Sequence, residues 1–61
     1  MRLLVVEDDS AIRDFLHRGL SEAGYQVDTA QDAKSALALA GEEIYDGFII
    51  DLGLRTWTGL T

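Results

Sequence analysis

Two groups of acidic residues are candidates for a reactive or metal-binding site in this 61-residue chain, because each group directly follows a short apolar run. The acids are Glu7, Asp8 and Asp9 after the run 3–6, and Asp51 after the run 48–50. Carboxylates that lie close together repel one another unless a cation neutralises them. Mg²⁺ suits such a site, since it takes oxygen ligands and keeps several of its waters. The sequence therefore predicts a magnesium site, provided that the fold brings both groups together. Asp9 by itself is equally consistent with a helix N-cap.

Hydrophobic periodicity predicts the elements that must position these acids. The runs 3–6 and 48–50 are continuous rather than alternating, which is typical of strands covered on both faces of a parallel sheet. A short alternating strand is predicted over 25–30, a first helix that begins near Ser10 and ends before Gly24, and a second helix over 31–40. These bounds follow from the helical spacing of apolar residues and from capping residues. The order βαβαβ predicts an α/β fold with parallel strands and right-handed crossovers.

The predicted elements also place the acids, several core residues and the ends of the second helix. The carboxyl ends of parallel strands lie at one edge of the sheet, where ligands bind, so the acids meet there if their strands are neighbours. The first helix should contribute Phe15, Leu16 and Leu20 to the core. Ile44 and Tyr45, in the connector before the third strand, should also be buried. The second helix should be capped near Asp32 and should end at Gly41.

Composition excludes several classes of function. The chain has eleven acids against five Lys and Arg, a formal net charge of −6, and neither cysteine nor proline. Disulfides and thiolate metal sites are therefore impossible. The negative charge argues against nucleic-acid or anionic membrane contacts by this segment. Every apolar run is far shorter than the roughly 20 residues that cross a bilayer. We expect a cytoplasmic location.

The acidic and apolar segments together resemble the receiver domain of a bacterial two-component response regulator. The likeness rests on residues 3–9, 23–25 and 48–54 in that order, and is closest to receivers that precede a winged-helix DNA-binding domain. It implies a flavodoxin-like parallel sheet with strand order 2-1-3. Residues 1–61 would then be a truncated receiver domain: its first three strands and two helices, without the C-terminal half or the output domain.

The resemblance also implies roles for individual residues. Asp51 would accept a phosphoryl group from a sensor histidine kinase, and Glu7 and Asp8 would help to hold Mg²⁺. The backbone carbonyl of Gly53 would complete the protein ligands, together with the Asp51 carboxylate. Bound Mg²⁺ would offset the repulsion between an attacking carboxylate and an anionic phosphoryl group. Such a domain is a signalling module rather than an enzyme, and the full-length protein would regulate transcription.

The chain departs from the family pattern in two ways. Arg55 stands where a proline is expected and Thr58 where an aspartate is expected; a compensated frameshift in the coding sequence is one hypothesis for both. A complete receiver also supplies a Ser or Thr on its fourth strand and a Lys on its fifth, and these 61 residues include neither strand. We therefore expect weak Mg²⁺ binding and no efficient phosphoryl acceptance by these residues alone.

Three other functions compete with this interpretation. A degenerate or engineered half-fold that acts as a self-association module would show the same sequence features. A haloacid-dehalogenase-type phosphatase would need an Asp-x-Asp motif after the first strand, but Glu7 stands at the nucleophile position. A flavodoxin-like FMN module would need a phosphate loop rich in Ser or Thr there, and the acids would repel the phosphate.

Surface residues suggest two kinds of partner. If the third strand lies at the edge of the sheet, the backbone groups of Phe48, Ile49 and Ile50 on that edge are unpaired and the apolar faces around them are uncovered. Both features favour a homodimer or other self-association. Arg13 and Arg18, on the first helix, could contact a kinase, although a solvated surface position is the simpler interpretation of both.

Overall fold

The elements follow the predicted βαβαβ order. The computed structural model describes residues 1–51, and the predictions for Gly53, Arg55 and Thr58 lie outside that range. The strands are β1 (Arg2–Glu7), β2 (Gln26–Ala30) and β3 (Gly47–Asp51), and the helices are α1 (Ser10–Glu22) and α2 (Ala33–Glu42). All strand pairs are parallel and the order is β2-β1-β3. The predicted α/β class and strand order are confirmed.

Helix α1 is delimited by local sequence signals. Asp9 is its N-cap, and its Oδ1 accepts the N–H groups of Ala11 and Ile12 at 2.9 and 3.2 Å. Gly24 adopts φ 100°, a conformation that residues with a Cβ rarely adopt. The N–H of Gly24 donates to the carbonyl of Ser21, and the N–H of Tyr25 donates to that of Leu20. This pairing is a Schellman motif, which satisfies carbonyls that the helix end leaves open.

Helix α2 begins as predicted but ends later. Asp32 is its N-cap and accepts the N–H of Ser35 at 2.7 Å. The helix continues through Gly41 to Glu42, and the N–H of Glu43 still donates to the carbonyl of Leu39 at 2.9 Å. The predicted end at Gly41 is therefore wrong. A glycine weakens a helix by about 1 kcal/mol relative to alanine, which does not by itself end one.

The core lies around the central strand. Leu4, Val5 and Val6 of β1 are buried, because β1 is paired on both edges and both helices pack over β1 and β2. Leu4 and Val6 share one face with Ala30, and α2 covers that face through Ala36 and Leu39. Val5 alternates to the other face, on the side of α1. The buried part of the protein is thus centred on one strand.

Several predicted core residues are exposed. Phe15 keeps 73% of its surface exposed and Ile44 keeps 91%, while Leu16 and Leu20 are half-buried. The core prediction is wrong for Phe15 and Ile44, because no described element covers the positions that they occupy. Tyr45 does pack against the core cluster, as predicted.

Strand β3 forms one edge of the described sheet. Phe48 and Ile50 are 53% and 57% exposed, although they belong to an apolar run. They line an apolar groove of about 470 Å³ with α2, here called the α2–β3 groove; its lining is Val6, Ala33, Ala36, Leu37, Ala40, Phe48 and Ile50. The expectation that an edge strand leaves apolar faces open holds for residues 1–51.

Candidate functional site

The two acid groups meet at the carboxyl edge of the sheet. Strands β1 and β3 are neighbours, and their register pairs Glu7 with Asp51. Paired residues of adjacent strands direct their side chains to the same face, so these two carboxylates lie side by side. Asp8 follows in the β1–α1 turn and interacts with Glu7. The structure therefore places Glu7 and Asp51 next to each other at this edge, with Asp8 adjacent to Glu7.

Glu7 is the most unusual of these residues. It is only 2% exposed, yet it is an acid at the end of a strand. Its Oε1 accepts the backbone N–H of Asp9 at 3.0 Å, whereas its Oε2 is buried without a hydrogen-bond partner. Buried polar atoms are nearly always satisfied, so this oxygen is able to accept a further donor or to bind a cation.

Electrostatics support the same interpretation. The hydrogen bond from the Asp9 N–H favours the charged form of Glu7. Burial and the negative charges of Asp51 and Asp8 together outweigh it, so the pKa of Glu7 is raised above its usual range. A cation at this edge would relieve both the repulsion and the loss of solvation.

Asp9 has a different role from the other acids. Its Oδ1 is committed to two N–H groups at the start of α1. The structure thus selects the N-cap alternative for Asp9. Its backbone N–H also binds Glu7, so the cap residue connects the helix start to the acidic edge.

The donor chemistry fits Mg²⁺, but residues 1–51 do not form a complete cage. Among them, no three Asp, Glu, His or Cys side chains form a group that could hold a metal ion. Mg²⁺ is usually bound by one or two carboxylates together with waters and phosphate oxygens, so a full cage is not required. The assignment of Glu7, Asp8, Asp51 and Gly53 as ligands stays a prediction.

Sequence reasoning missed one contact at this site. Nη1 of the half-buried Arg13 donates to the backbone carbonyl of Glu7 at 2.9 Å. The sequence favours a solvated surface position for Arg13, because it lies on the polar side of α1. Helical periodicity gives the face of a residue but does not show how far a long side chain reaches back along the turn.

A second missed cluster lies at the opposite, amino end of the sheet. Oδ2 of Asp28 accepts Nε and Nη2 of Arg2 at 3.1 and 2.9 Å, and the Tyr45 hydroxyl at 2.7 Å. Nη1 of Arg2 also pairs with Glu43 at 3.1 Å. These contacts lower the pKa of Asp28, chiefly through the hydrogen bonds from Tyr45 and Arg2. The signal in the sequence was an acid in the middle of a strand, which needs a partner when it is covered.

No described helix is long and apolar enough to span a membrane.

Comparison with known proteins identifies relatives across the whole chain. The family model described as "Response regulator receiver domain" matches residues 3–61. The chain is 48% identical over 61 residues to the transcriptional regulatory protein PhoP of Escherichia coli K12. It is 46% identical to the virulence transcriptional regulatory protein PhoP of Shigella flexneri, and 44% identical to that of Salmonella typhimurium 14028s. Each alignment covers 100% of this chain but 27% of the relative. No solved structure gives a significant match.

Proposed function

This chain belongs to the response regulator receiver family, and on that premise we propose that Asp51 accepts a phosphoryl group from a sensor histidine kinase. The proposal rests on the buried Oε2 of Glu7, which has no hydrogen-bond partner. Glu7 is paired with Asp51 in the register of the sheet. Burial of a carboxylate destabilises the fold, and binding of a ligand to that carboxylate is the best explanation for its position.

The proposed reaction is covalent transfer to a carboxylate. An oxygen of Asp51 forms a bond to phosphorus as the phosphorus–nitrogen bond of a phosphohistidine breaks, and the kinase imidazole leaves. Glu7, Asp8, Asp51 and the carbonyl of Gly53 would hold Mg²⁺. When bound, the metal supplies charge that offsets the repulsion between the carboxylate and the phosphoryl oxygens. Glu7 keeps its orientation through the N–H of Asp9.

The matched family is one of receiver domains of response regulators, which are signalling domains rather than enzymes that turn over a substrate. The chain spans about a quarter, 27%, of the length of each curated relative. The biological output of the full-length protein is therefore itself a proposal. We propose that the full-length protein regulates transcription, as the printed names of the relatives say of those proteins. The phosphotransfer would take place in the cytoplasm.

Acetyl phosphate with Mg²⁺ provides a direct test of Asp51. We expect a Mg²⁺-dependent gain of one phosphoryl group by intact mass, slow and substoichiometric for these 61 residues. Asp51→Asn should abolish the gain, whereas Asp14→Asn, which changes an exposed carboxylate on α1, should leave it unchanged. An adduct that survives Asp51→Asn, or no adduct in any variant, would contradict the proposal.

We also propose that a second copy of the chain covers the α2–β3 groove. The support is that β3 is an edge strand in the described sheet and that Phe48 and Ile50 are exposed beside the groove. An edge strand offers unpaired backbone groups to another strand, and exposed apolar side chains gain by burial.

Sedimentation tests this association through one pair of variants. Ile50→Ser should weaken self-association roughly tenfold, since it removes an apolar side chain from the groove. Ile44→Ser is the matched control, because Ile44 is 91% exposed and lies outside the groove. A wild-type protein that stays monomeric as its concentration rises would show that no second copy binds there.

A further inference from the structure

Arg13 joins helix α1 to the last residue of strand β1. Its Nη1 donates to the backbone carbonyl oxygen of Glu7 at 2.9 Å in a partly buried contact. Its own backbone N–H donates to the carbonyl of Asp9, also at 2.9 Å. The residue is therefore bound through both backbone and side chain to the turn that carries the acids.

Three interactions close this turn. The N–H of Asp9 binds Oε1 of Glu7, the side chain of Asp9 caps α1, and the guanidinium of Arg13 holds the Glu7 carbonyl. A carbonyl fixed in direction fixes the planar peptide unit between Glu7 and Asp8. The direction in which both acidic side chains leave the backbone depends on that plane.

We propose that Arg13 is a positioning residue for the acidic site. By holding the Glu7 carbonyl, it keeps Glu7 directed at the edge occupied by Asp51, and it sets the path of the chain through Asp8. The proposal rests on the function proposed above and deepens it, because it assigns a residue that controls the metal site without being a ligand. Arginine suits this role, since its planar guanidinium presents donors in fixed directions.

The charge of Arg13 and its hydrogen bond act in opposite directions on Mg²⁺ affinity. Removal of a positive charge near an acidic cluster favours the binding of a cation. Loss of the hydrogen bond disorders the turn and weakens binding. A weaker affinity in an uncharged variant must therefore come from lost positioning.

The test is a Mg²⁺ titration followed by the backbone amide shifts of residues 7–9. Arg13→Met should raise the Mg²⁺ dissociation constant roughly tenfold, the lower part of the range for residues that orient metal ligands. Arg18→Met is the matched control: it removes the same charge from an exposed position on the same helix, and should leave the constant unchanged or lower. Arg13→Lys should restore part of the affinity.

The outcomes separate this inference from the proposed function. Equal Mg²⁺ affinities for Arg13→Met and Arg18→Met would overturn the positioning role, even if Asp51 is still modified by acetyl phosphate. A wild-type chain without measurable Mg²⁺ binding would overturn both. If Arg13→Met does not fold, Arg13→Lys and Arg13→Gln are compared, and full wild-type affinity in the glutamine variant contradicts the proposal.

Discussion

Replacement of Glu7 by Gln is expected to weaken Mg²⁺ binding at least about tenfold while stabilising the metal-free protein. Gln has nearly the same shape, and its carbonyl oxygen can still accept the N–H of Asp9. It removes a buried negative charge that lies beside Asp51 and Asp8. The fold therefore loses an unfavourable electrostatic interaction, whereas the metal site loses an anionic ligand.

Thermal unfolding with and without Mg²⁺ measures both effects. A ligand that binds only the folded state raises its stability, so Mg²⁺ should raise the melting temperature of the wild type more than that of the Glu7→Gln variant. In the absence of Mg²⁺, the Glu7→Gln variant should melt at a higher temperature than the wild type. Glu22→Gln, the same change at an exposed position, should alter neither value appreciably. A metal-free variant that melts below the wild type would show that the Glu7 charge does not destabilise the fold.

Replacement of Asp28 by Ala should have the largest effect on stability among the polar side chains described. Arg2 and Tyr45 would both lose their acceptor, and the side chain of Asp28 is less than one third exposed. Loss of one partner in such a cluster costs about 1–3 kcal/mol. That is a large share of the stability of so short a chain, about 3–9 kcal/mol at ordinary values per residue. The cost should be measured by urea unfolding at neutral pH.

The contribution of Asp28 should depend on pH in a defined direction. Its pKa is lowered in the folded state, so the folded protein holds fewer protons on this group than the unfolded chain does. Its stabilisation is fully present above the unfolded pKa of about 4, and is lost as the pH falls through the lower folded value. The difference in unfolding free energy between wild type and Asp28→Asn should therefore shrink as the pH is lowered below 4. A constant difference would indicate that the charge of Asp28 contributes nothing.

Tyr45→Phe separates the hydroxyl contribution from the rest of the cluster. The ring would remain near the guanidinium of Arg2, at 5.7 Å, and near Phe48, whose ring centroid is also 5.7 Å away. Only the 2.7 Å hydrogen bond to Asp28 would be lost, at a cost of about 1 kcal/mol. In a double-mutant cycle with Asp28→Ala, the two losses should be less than additive, since both variants remove the same hydrogen bond.

The acidic site illustrates how far sequence reasoning reaches. Continuous apolar runs that end in acids predicted that Glu7 and Asp51 close parallel strands, and the resemblance to receiver domains implied that these strands are neighbours; the register shows that they are. The burial of Glu7 and its unpartnered oxygen were not predictable, because they depend on how the folded chain covers the end of the strand. The hydrogen bond from Arg13 to the Glu7 carbonyl and the cluster around Asp28 were not predicted, for a similar reason. Both join residues whose proximity exists only after the strands have paired.

The order of elements and the reversal at Gly24 were predictable from the sequence, because periodicity and positive φ depend on residues within a few positions of one another. The sequence also predicted which acids follow the strands at their carboxyl ends, whereas the choice of Asp9 as N-cap came from the structure. Which apolar residues are buried depended on the tertiary structure. Leu4 lies on a strand that is paired on both sides and covered by helices, whereas Phe15, equally apolar, has no described element over it. Burial depends on which surfaces pack against each other, so the type of a residue alone does not predict whether it is buried.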